Sequence, residues 1–247
     1  MKREIFYWGP FLDNVATVTA ILNSSKSINK YSKKYSSKII NAIGEWNGVI
    51  KENPKNLYFL NFNMNFYEDL PRYSYLKSRL SYLIIFLKCF FPLRELLHKE
   101  KPKFLIIHLI VSLPMILYIF FNFETKLCLR ISGKPKLNFF RKLLWKICSK
   151  KIHKIFCPTQ ETIDSLIKEK IFKDNIFLLE DPVLEVSKIN RLKNDQIDQN
   201  FNKNNIILVG RHTKQKNFQL FVNAFSKIEK KFPNYKAYIF GDGELKE

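Results

Sequence analysis

Short apolar runs alternate with longer segments of helical periodicity along most of the chain, and this order constrains the fold more than any other feature. Ile5–Trp8 is the first apolar run, and in Val15–Tyr31 the apolar side chains recur three or four residues apart. Strand-like and helix-like segments that alternate in this way predict a parallel sheet with helices on both faces. The sequence therefore predicts an α/β fold with a Rossmann-type N-terminal domain.

The same alternation continues beyond these two segments. It predicts strands at 38–43, 57–62, 104–108, 127–131, 155–157 and 176–179, and helices at 73–100, 137–149 and 161–170. Proline lacks an amide donor, so we expect the helix 73–100, which mixes basic, aromatic and aliphatic residues at the surface, to break at Pro92. Thr159 suits the N-cap position of the helix that follows it.

The polar stretch 185–204 divides the chain. We expect an N-terminal domain at 1–184, a linker at 185–204, and the start of a second Rossmann-type domain at 205–247, with strands at 205–209 and 237–240 and a helix at 218–232. Two strands and one helix cannot bury their apolar faces alone. We therefore expect the chain to be truncated within its second domain.

The apolar stretch 104–121 has two interpretations. Its length approaches the roughly 18 to 20 residues that span a bilayer. However, a β-type run comes first, and Pro114 suits the first turn of a separate helix, so we favour a buried strand followed by a buried helix. The N-terminus lacks the cleavage pattern of a secretory signal, which favours a cytoplasmic location.

The chain is strongly basic. Lys and Arg number 42 against 22 Asp and Glu, a net charge of +20, so phosphates, anionic lipid headgroups and nucleic acid are all electrostatically possible partners. Lysine is spread along the whole chain, and such uniform enrichment is also typical of biased genome composition. The four cysteines have no CxxC spacing, so the sequence predicts neither a metal site nor a disulfide framework.

The most specific pattern spans two predicted strands near the C-terminus. Ile206-Ile-Leu-Val-Gly-Arg-His-Thr-Lys-Gln-Lys-Asn217 precedes the predicted helix, and Tyr238-Ile-Phe-Gly-Asp-Gly-Glu-Leu245 follows it. This arrangement resembles the start of the nucleotide-binding domain of family-4 retaining glycosyltransferases of the GT-B fold. The resemblance is tight over 205–247 and looser over the rest of the chain.

The resemblance implies transfer of a sugar from a nucleotide-sugar donor to a glycan or lipid-linked acceptor, in surface polysaccharide synthesis, with retained configuration and without a metal or other cofactor. It assigns Arg211 and Lys216 to the donor diphosphate, and Gly210, Gly241 and Gly243 to the loops that face the donor. Arginine and lysine can neutralise a diphosphate leaving group, and glycine lets backbone approach phosphate. Alternatively, these residues are solvated charges and ordinary turns.

The N-terminal half carries weaker candidates. Gly9-Pro-Phe-Leu-Asp-Asn14 stands where the family has a glycine-bearing loop, and His108 stands where many members have a histidine that reaches the sugar. A tight turn and a core histidine are the alternative interpretations. The loop residues Arg130, Ser132 and Lys134 are further cleft candidates, with a plain loop as the alternative.

A basic helix is a further candidate for a binding surface. The helix that carries Lys136, Arg141, Lys142 and Lys146, with Trp145, suits an anionic membrane surface, although a solvated helix face is the default. The acidic E-x7-E pair of the family is missing.

A basic nucleic-acid-binding protein and a membrane-anchored non-enzymatic protein remain the alternative functions. The chain has no nucleic-acid-binding motif, so we expect no nucleic-acid partner.

Overall fold

In the described residues of the N-terminal part of the chain, seven parallel strands form one sheet. The computed structural model describes residues 2–13, 15–50, 58–61, 65–71, 75–135, 137–172, 175–195, 203–243 and 245. Asn14, Lys136 and Glu244, which belong to the patterns above, lie outside the described residues. The chain divides into an N-terminal unit, Met1–Val186, and a C-terminal unit, Ser187–Glu247.

The strands of the N-terminal unit confirm the predicted α/β class. They are β1 Arg3–Trp8, β2 Tyr35–Asn41, β3 Tyr58–Asn61, β4 Phe104–Ile107, β5 Lys126–Arg130, β6 Ile152–Cys157 and β7 Ile176–Leu178. The order across the sheet is β3-β2-β1-β4-β5-β6-β7, and all neighbouring strands are parallel. This is a doubly wound, Rossmann-like arrangement.

Helices cover both faces of this sheet. They are α1 Ala16–Tyr31, α2 Tyr75–Glu100, α3 Ser112–Phe120, α4 Phe139–Cys148 and α5 Gln160–Lys168, with a 3₁₀ turn at Ser149–Lys151. Successive side chains of a strand point to opposite faces. Accordingly, Phe6 belongs to the core cluster that α2, α3, α4 and α5 cover, whereas Tyr7 belongs to the cluster that α1 covers. Thr159 caps α5 as predicted, since its hydroxyl accepts from the Thr162 amide.

Helix α2 continues through Pro92, so the predicted break is wrong. The fully buried side chains on either side of the proline explain the difference: Cys89 and Leu93 flank Pro92, and Ile85 and Leu97 extend the same stripe by one turn each way. Packing of this stripe outweighs the roughly 3 kcal/mol that an internal proline costs a helix. The opposite face is exposed, which agrees with the surface location expected for this segment.

The apolar stretch 104–121 folds as a strand and a helix, the interpretation favoured from its sequence. Strand β4 ends at Ile107, and α3 begins at Ser112. Among the described residues, no helix is both long enough and apolar enough to cross a bilayer.

The C-terminal unit contains the predicted β-α-β unit. Strand β8 Asn205–Val209 pairs in parallel with β9 Lys236–Phe240, and α7 Phe218–Ile228 connects them. Helix α7 ends four residues before the predicted position. Near its start, the segment predicted as a linker contains a short exposed helix, α6 Val186–Leu192.

Candidate functional site

The carboxyl ends of β1 and β4 meet at the point where the strand order of the N-terminal sheet reverses. Open α/β sheets bind ligands at this switch point, in the crevice beyond the strand ends. Gly9 follows β1 and His108 follows β4, and the His108 amide donates to the Trp8 carbonyl at 2.9 Å. The structure therefore brings together these two residues, which the sequence suggested separately.

The His108 side chain is buried, and its two ring nitrogens are not satisfied by the residues that the structure describes. It is 8% exposed, and neither Nδ1 nor Nε2 has a partner among the described residues. Burial, reinforced by the positive charge of Arg130, lowers the pKa of His108 to about 3. The imidazole is thus neutral at physiological pH, with one donor and one acceptor that no described residue satisfies.

Gly9 has a packing role. A Cβ built on Gly9 would lie 2.4 Å from Ile21 Cδ1 and 3.7 Å from His108 Cβ. Helix α1, through Ile21, therefore occupies the space beside the loop. After Gly9, Phe11 and Leu12 are buried and Asp13 is exposed.

The three candidates after β5 do not behave alike. Arg130 is buried and binds Asp181, whereas Ser132 and Lys134 are exposed, and Lys134 Nζ lies 3.7 Å from Glu161 Oε1. Only Arg130 is close enough to His108 to influence its charge state. Asp181 was missed from the sequence, although its position just after β7 at the same sheet edge was a usable signal.

Glu45 is a second missed residue, in the loop after β2. It is 1% exposed and accepts from the amides of Ala42 and Ile43, at 3.3 and 2.8 Å. Burial raises the pKa of Glu45 to about 7 despite these hydrogen bonds. Gly44, at φ +94°, sets the turn that directs this carboxyl inward.

In the C-terminal unit, the loops after β8 and β9 are in direct backbone contact. The Gly210 amide donates to the Phe240 carbonyl at 3.0 Å, and the His212 amide donates to the Asp242 carbonyl at 2.9 Å. The Leu245 amide donates back to the His212 carbonyl at 3.0 Å. The two loops thus form one layer beyond the strand ends.

Gly241 and Gly243 make this close approach possible. A Cβ on Gly241 would lie 1.8 Å from the Gly210 carbonyl oxygen, and a Cβ on Gly243 would lie 2.6 Å from the His212 carbonyl oxygen. Both clashes are with backbone, which cannot rotate away. Any side chain at either position would separate the loops.

Arg211 and Lys216 both lie on this joined pair of loops and are exposed. The Lys216 stem runs beside Gly210, since Cγ and Cδ would each lie 3.7 Å from a Cβ built there. The sequence did not single out His212, which packs edge-on against Phe218 with ring centroids 4.9 Å apart. Its buried Nε2 has no partner among the described residues.

Within the described part of the chain, no group of three or more His, Cys, Asp or Glu side chains is arranged to hold a metal ion. All four cysteines are free and buried.

Comparison with known proteins gives one sequence relative and several similar structures. No protein-family model matches the chain. An uncharacterized glycosyltransferase of Methanocaldococcus jannaschii is 28% identical over 181 residues, which are 65% of this chain and 44% of the relative. The chain therefore matches less than half the length of that curated relative.

Three crystal structures illustrate the similarity of fold. TarM aligns with a TM-score of 0.68 at 12% identity, over 100% of this chain and 73% of TarM. A Staphylococcus aureus TarM variant in complex with Fondaparinux, alpha-GlcNAc-glycerol and UDP aligns with a TM-score of 0.61 at 11% identity and the same coverage. UDP-N-acetylglucosamine 2-epimerase of Rickettsia bellii aligns with a TM-score of 0.60 at 16% identity, over 98% and 62%. The chain thus has the Rossmann-like architecture of GT-B glycosyltransferases and related epimerases, and its sequence is similar to a glycosyltransferase.

Proposed function

We propose that this chain is part of a glycosyltransferase that moves a sugar from a nucleoside-diphosphate sugar to a glycan or lipid-linked acceptor. The observation that carries the proposal is the joined pair of loops in the C-terminal unit, where Gly241 contacts the Gly210 backbone beside two exposed cations. The similarity to a glycosyltransferase sequence supports it. A nucleic-acid-binding or membrane-anchored non-enzymatic function is not favoured by any comparison.

Arg211 and Lys216 would stabilise the leaving diphosphate. Negative charge develops on the diphosphate as the glycosidic bond breaks, and a fixed guanidinium and ammonium lower the energy of that state. Glycines at 210, 241 and 243 leave the backbone of the loops open to phosphate oxygens. In this proposal 205–247 belongs to the donor domain, 1–184 to the acceptor domain, and 185–204 to the linker.

His108 would orient the transferred sugar in the crevice of the N-terminal sheet. A neutral imidazole that is 92% buried and has no partner among the described residues destabilises the folded protein. A hydroxyl group of a bound sugar would supply the missing hydrogen bond. We extend the proposal to retention of anomeric configuration, without a required metal, as in family 4.

Helix α4 supports a location at the cytoplasmic membrane face. Its exposed apolar side chains, spaced to lie on one face, are Phe139, Phe140, Leu143 and Ile147. Lys146 is exposed, whereas Lys142 pairs with Glu169 and Trp145 is buried. An apolar helix face beside cations suits an interface with anionic lipid, where lipid-linked acceptors of surface polysaccharides would be found.

UDP binding measured by isothermal titration calorimetry tests the donor assignment. We expect Arg211→Ala and Lys216→Ala each to weaken UDP binding at least about tenfold, roughly 1.4 kcal/mol. Lys227→Ala is the matched control, because Lys227 is an exposed cation of α7 away from the loops. Equal affinity of the wild type, Arg211→Ala and Lys216→Ala for UDP would refute the assignment. Tighter binding of an unrelated oligonucleotide than of UDP would favour the nucleic-acid alternative.

A further inference from the structure

A basic pocket lies at the opposite edge of the N-terminal sheet from the crevice described above. The turns that enter β5 and β6 form it, and we call it the amino-edge pocket. It has a volume of about 390 Å³, and its lining includes Glu124, Thr125, Lys126, Lys150, Lys151 and His153. This volume falls in the range of about 300–1,000 Å³ that is typical of small-molecule pockets.

Several basic side chains line this pocket, and few carboxylates lie near them. Lys126, Lys150, Lys151 and His153 line it, and Lys103 lies close enough to act on His153. Glu124 is the one carboxylate in the lining, and it already pairs with Lys101. Among the described residues, no carboxylate forms an ion pair with Lys126, Lys150 or Lys151. A bound anion would therefore reduce the electrostatic repulsion between these lysines.

Other polar groups line the pocket beside these lysines. Thr125 is 2% exposed and lines the pocket, yet its Oγ1 has no hydrogen-bond partner in the described part of the chain. The His153 ring stacks on Phe104 with centroids 5.9 Å apart and an interplanar angle of 20°, which fixes its orientation. Lys151 Nζ is held by Asn122 Oδ1 at 3.0 Å. A buried hydroxyl without a partner costs free energy, and this one belongs to a residue of the pocket wall.

We propose that the amino-edge pocket binds the phosphate group of a phosphate ester, at a site separate from that of the nucleotide-sugar donor. Three ammonium groups and an imidazole offer more donors than the two oxygens of a carboxylate can use, whereas a phosphate presents three strong acceptor oxygens and up to two negative charges. The volume leaves room for the ester substituent. Binding at this edge, away from the carboxyl ends of the strands, leaves the crevice beside His108 open.

The histidine ring signals in an NMR spectrum test this proposal at residue level. The chain has only four histidines, and the His153 signal is identified by its loss in His153→Gln. On titration with glycerol 1-phosphate, we expect a saturable shift of the His153 signal. The double variant K126Q/K151Q should weaken this binding at least about tenfold, whereas K126R/K151R, which keeps both charges, should retain most of it.

The control removes the same charge elsewhere. Lys30 and Lys168 lie on α1 and α5, outside the pocket lining, so K30Q/K168Q should bind glycerol 1-phosphate like the wild type. Equal weakening by K30Q/K168Q and K126Q/K151Q would overturn the proposal, because net charge alone would then explain the binding. Arg211→Ala should leave the His153 shift intact, so failure of the donor assignment and failure of this proposal are distinguishable.

Vesicle co-sedimentation identifies the source of the phosphate. Vesicles of phosphatidylcholine with and without phosphatidylglycerol are compared for the wild type and K126Q/K151Q. If K126Q/K151Q weakens only vesicle binding, the phosphate is a lipid headgroup. If it weakens only glycerol 1-phosphate binding, the ligand is a soluble ester. If the wild type binds neither probe, the proposal is wrong.

Discussion

Arg130 donates hydrogen bonds from Nε and Nη2 to the same oxygen of Asp181, Oδ1, at 3.0 and 2.6 Å. Their side chains are 5% and 18% exposed, so the pair joins the end of β5 to the loop after β7 away from bulk water. The Arg130 charge also contributes to the lowered pKa of His108. The same arginine therefore fixes the loop after β7 to the end of β5 and helps to keep His108, the candidate sugar-binding residue, neutral.

We expect Asp181→Asn to lower the free energy of unfolding by about 3 kcal/mol, because it leaves the Arg130 guanidinium buried without a counter-charge. Urea unfolding followed by tryptophan fluorescence measures this effect. The three tryptophans, Trp8, Trp46 and Trp145, all lie in the N-terminal unit, so the signal reports on that unit.

Glu124→Gln is the control for this measurement. It breaks the Lys101–Glu124 ion pair, whose side chains are 54% and 72% exposed, so solvent screening leaves little to lose. A loss of stability in Asp181→Asn no larger than that in Glu124→Gln would show that the Arg130–Asp181 pair does not stabilise the fold.

Gly241→Ala should separate the two loops of the C-terminal unit. Its Cβ would lie 1.8 Å from the Gly210 carbonyl oxygen, a distance that only backbone movement can relieve. We expect UDP affinity, measured by calorimetry, to fall at least about tenfold. Gly48→Ala is the matched control, since a Cβ there would meet nothing within 4 Å, and it should bind UDP like the wild type. Unchanged UDP affinity in Gly241→Ala would show that these loops do not form the donor site.

The order of strands and helices was predicted well from the sequence, because local residue patterns determine this order. Strand β8 was predicted to the residue, and the division of 104–121 into a strand and a helix followed from Pro114. The break at Pro92 was wrong because tertiary packing of α2 decides that position, and no local pattern contains this packing.

The candidate site was less predictable, because contacts between distant residues define it. Asp181 lies 51 positions after Arg130, and the residues around either one do not indicate that the two form an ion pair. Glu45 is an acidic residue that would normally be exposed, and only the turn at Gly44 directs it into the core. The glycines at 241 and 243 were visible as a pattern, but their contact with the Gly210 and His212 backbones requires the fold.

Glu45 should make the N-terminal unit less stable as the pH rises. Its pKa is raised from 4.5 to about 7 in the folded state, so between these values the folded protein retains a proton that the unfolded chain has released. The stabilisation is fully present below pH 4.5 and is lost as the pH rises through 7, by up to about 3 kcal/mol. In Glu45→Gln this loss should disappear. Urea unfolding of both proteins at pH 4.5, 6 and 7.5 measures it, and parallel curves would contradict the raised pKa.

His108 should have the opposite effect, on the acid side. Its pKa is lowered from 6.5 to about 3 in the folded state, so below pH 6.5 the unfolded chain gains a proton that the buried imidazole does not accept. Stability contributed by neutral His108 is fully present above pH 6.5 and falls as the pH decreases toward 3, by at most about 5 kcal/mol. Compared with the wild type, His108→Gln should therefore lose less stability between pH 6.5 and 4.

His98→Gln provides the matched comparison, because His98 is an exposed histidine near the end of α2. It should leave the acid-induced loss of stability as in the wild type, because it replaces a histidine at the exposed surface and not the buried one. If His108→Gln and His98→Gln change the pH dependence equally, His108 is solvated rather than buried. The unpartnered nitrogens would then already be satisfied by water, and the proposed hydrogen bond to a sugar hydroxyl would lose its physical basis.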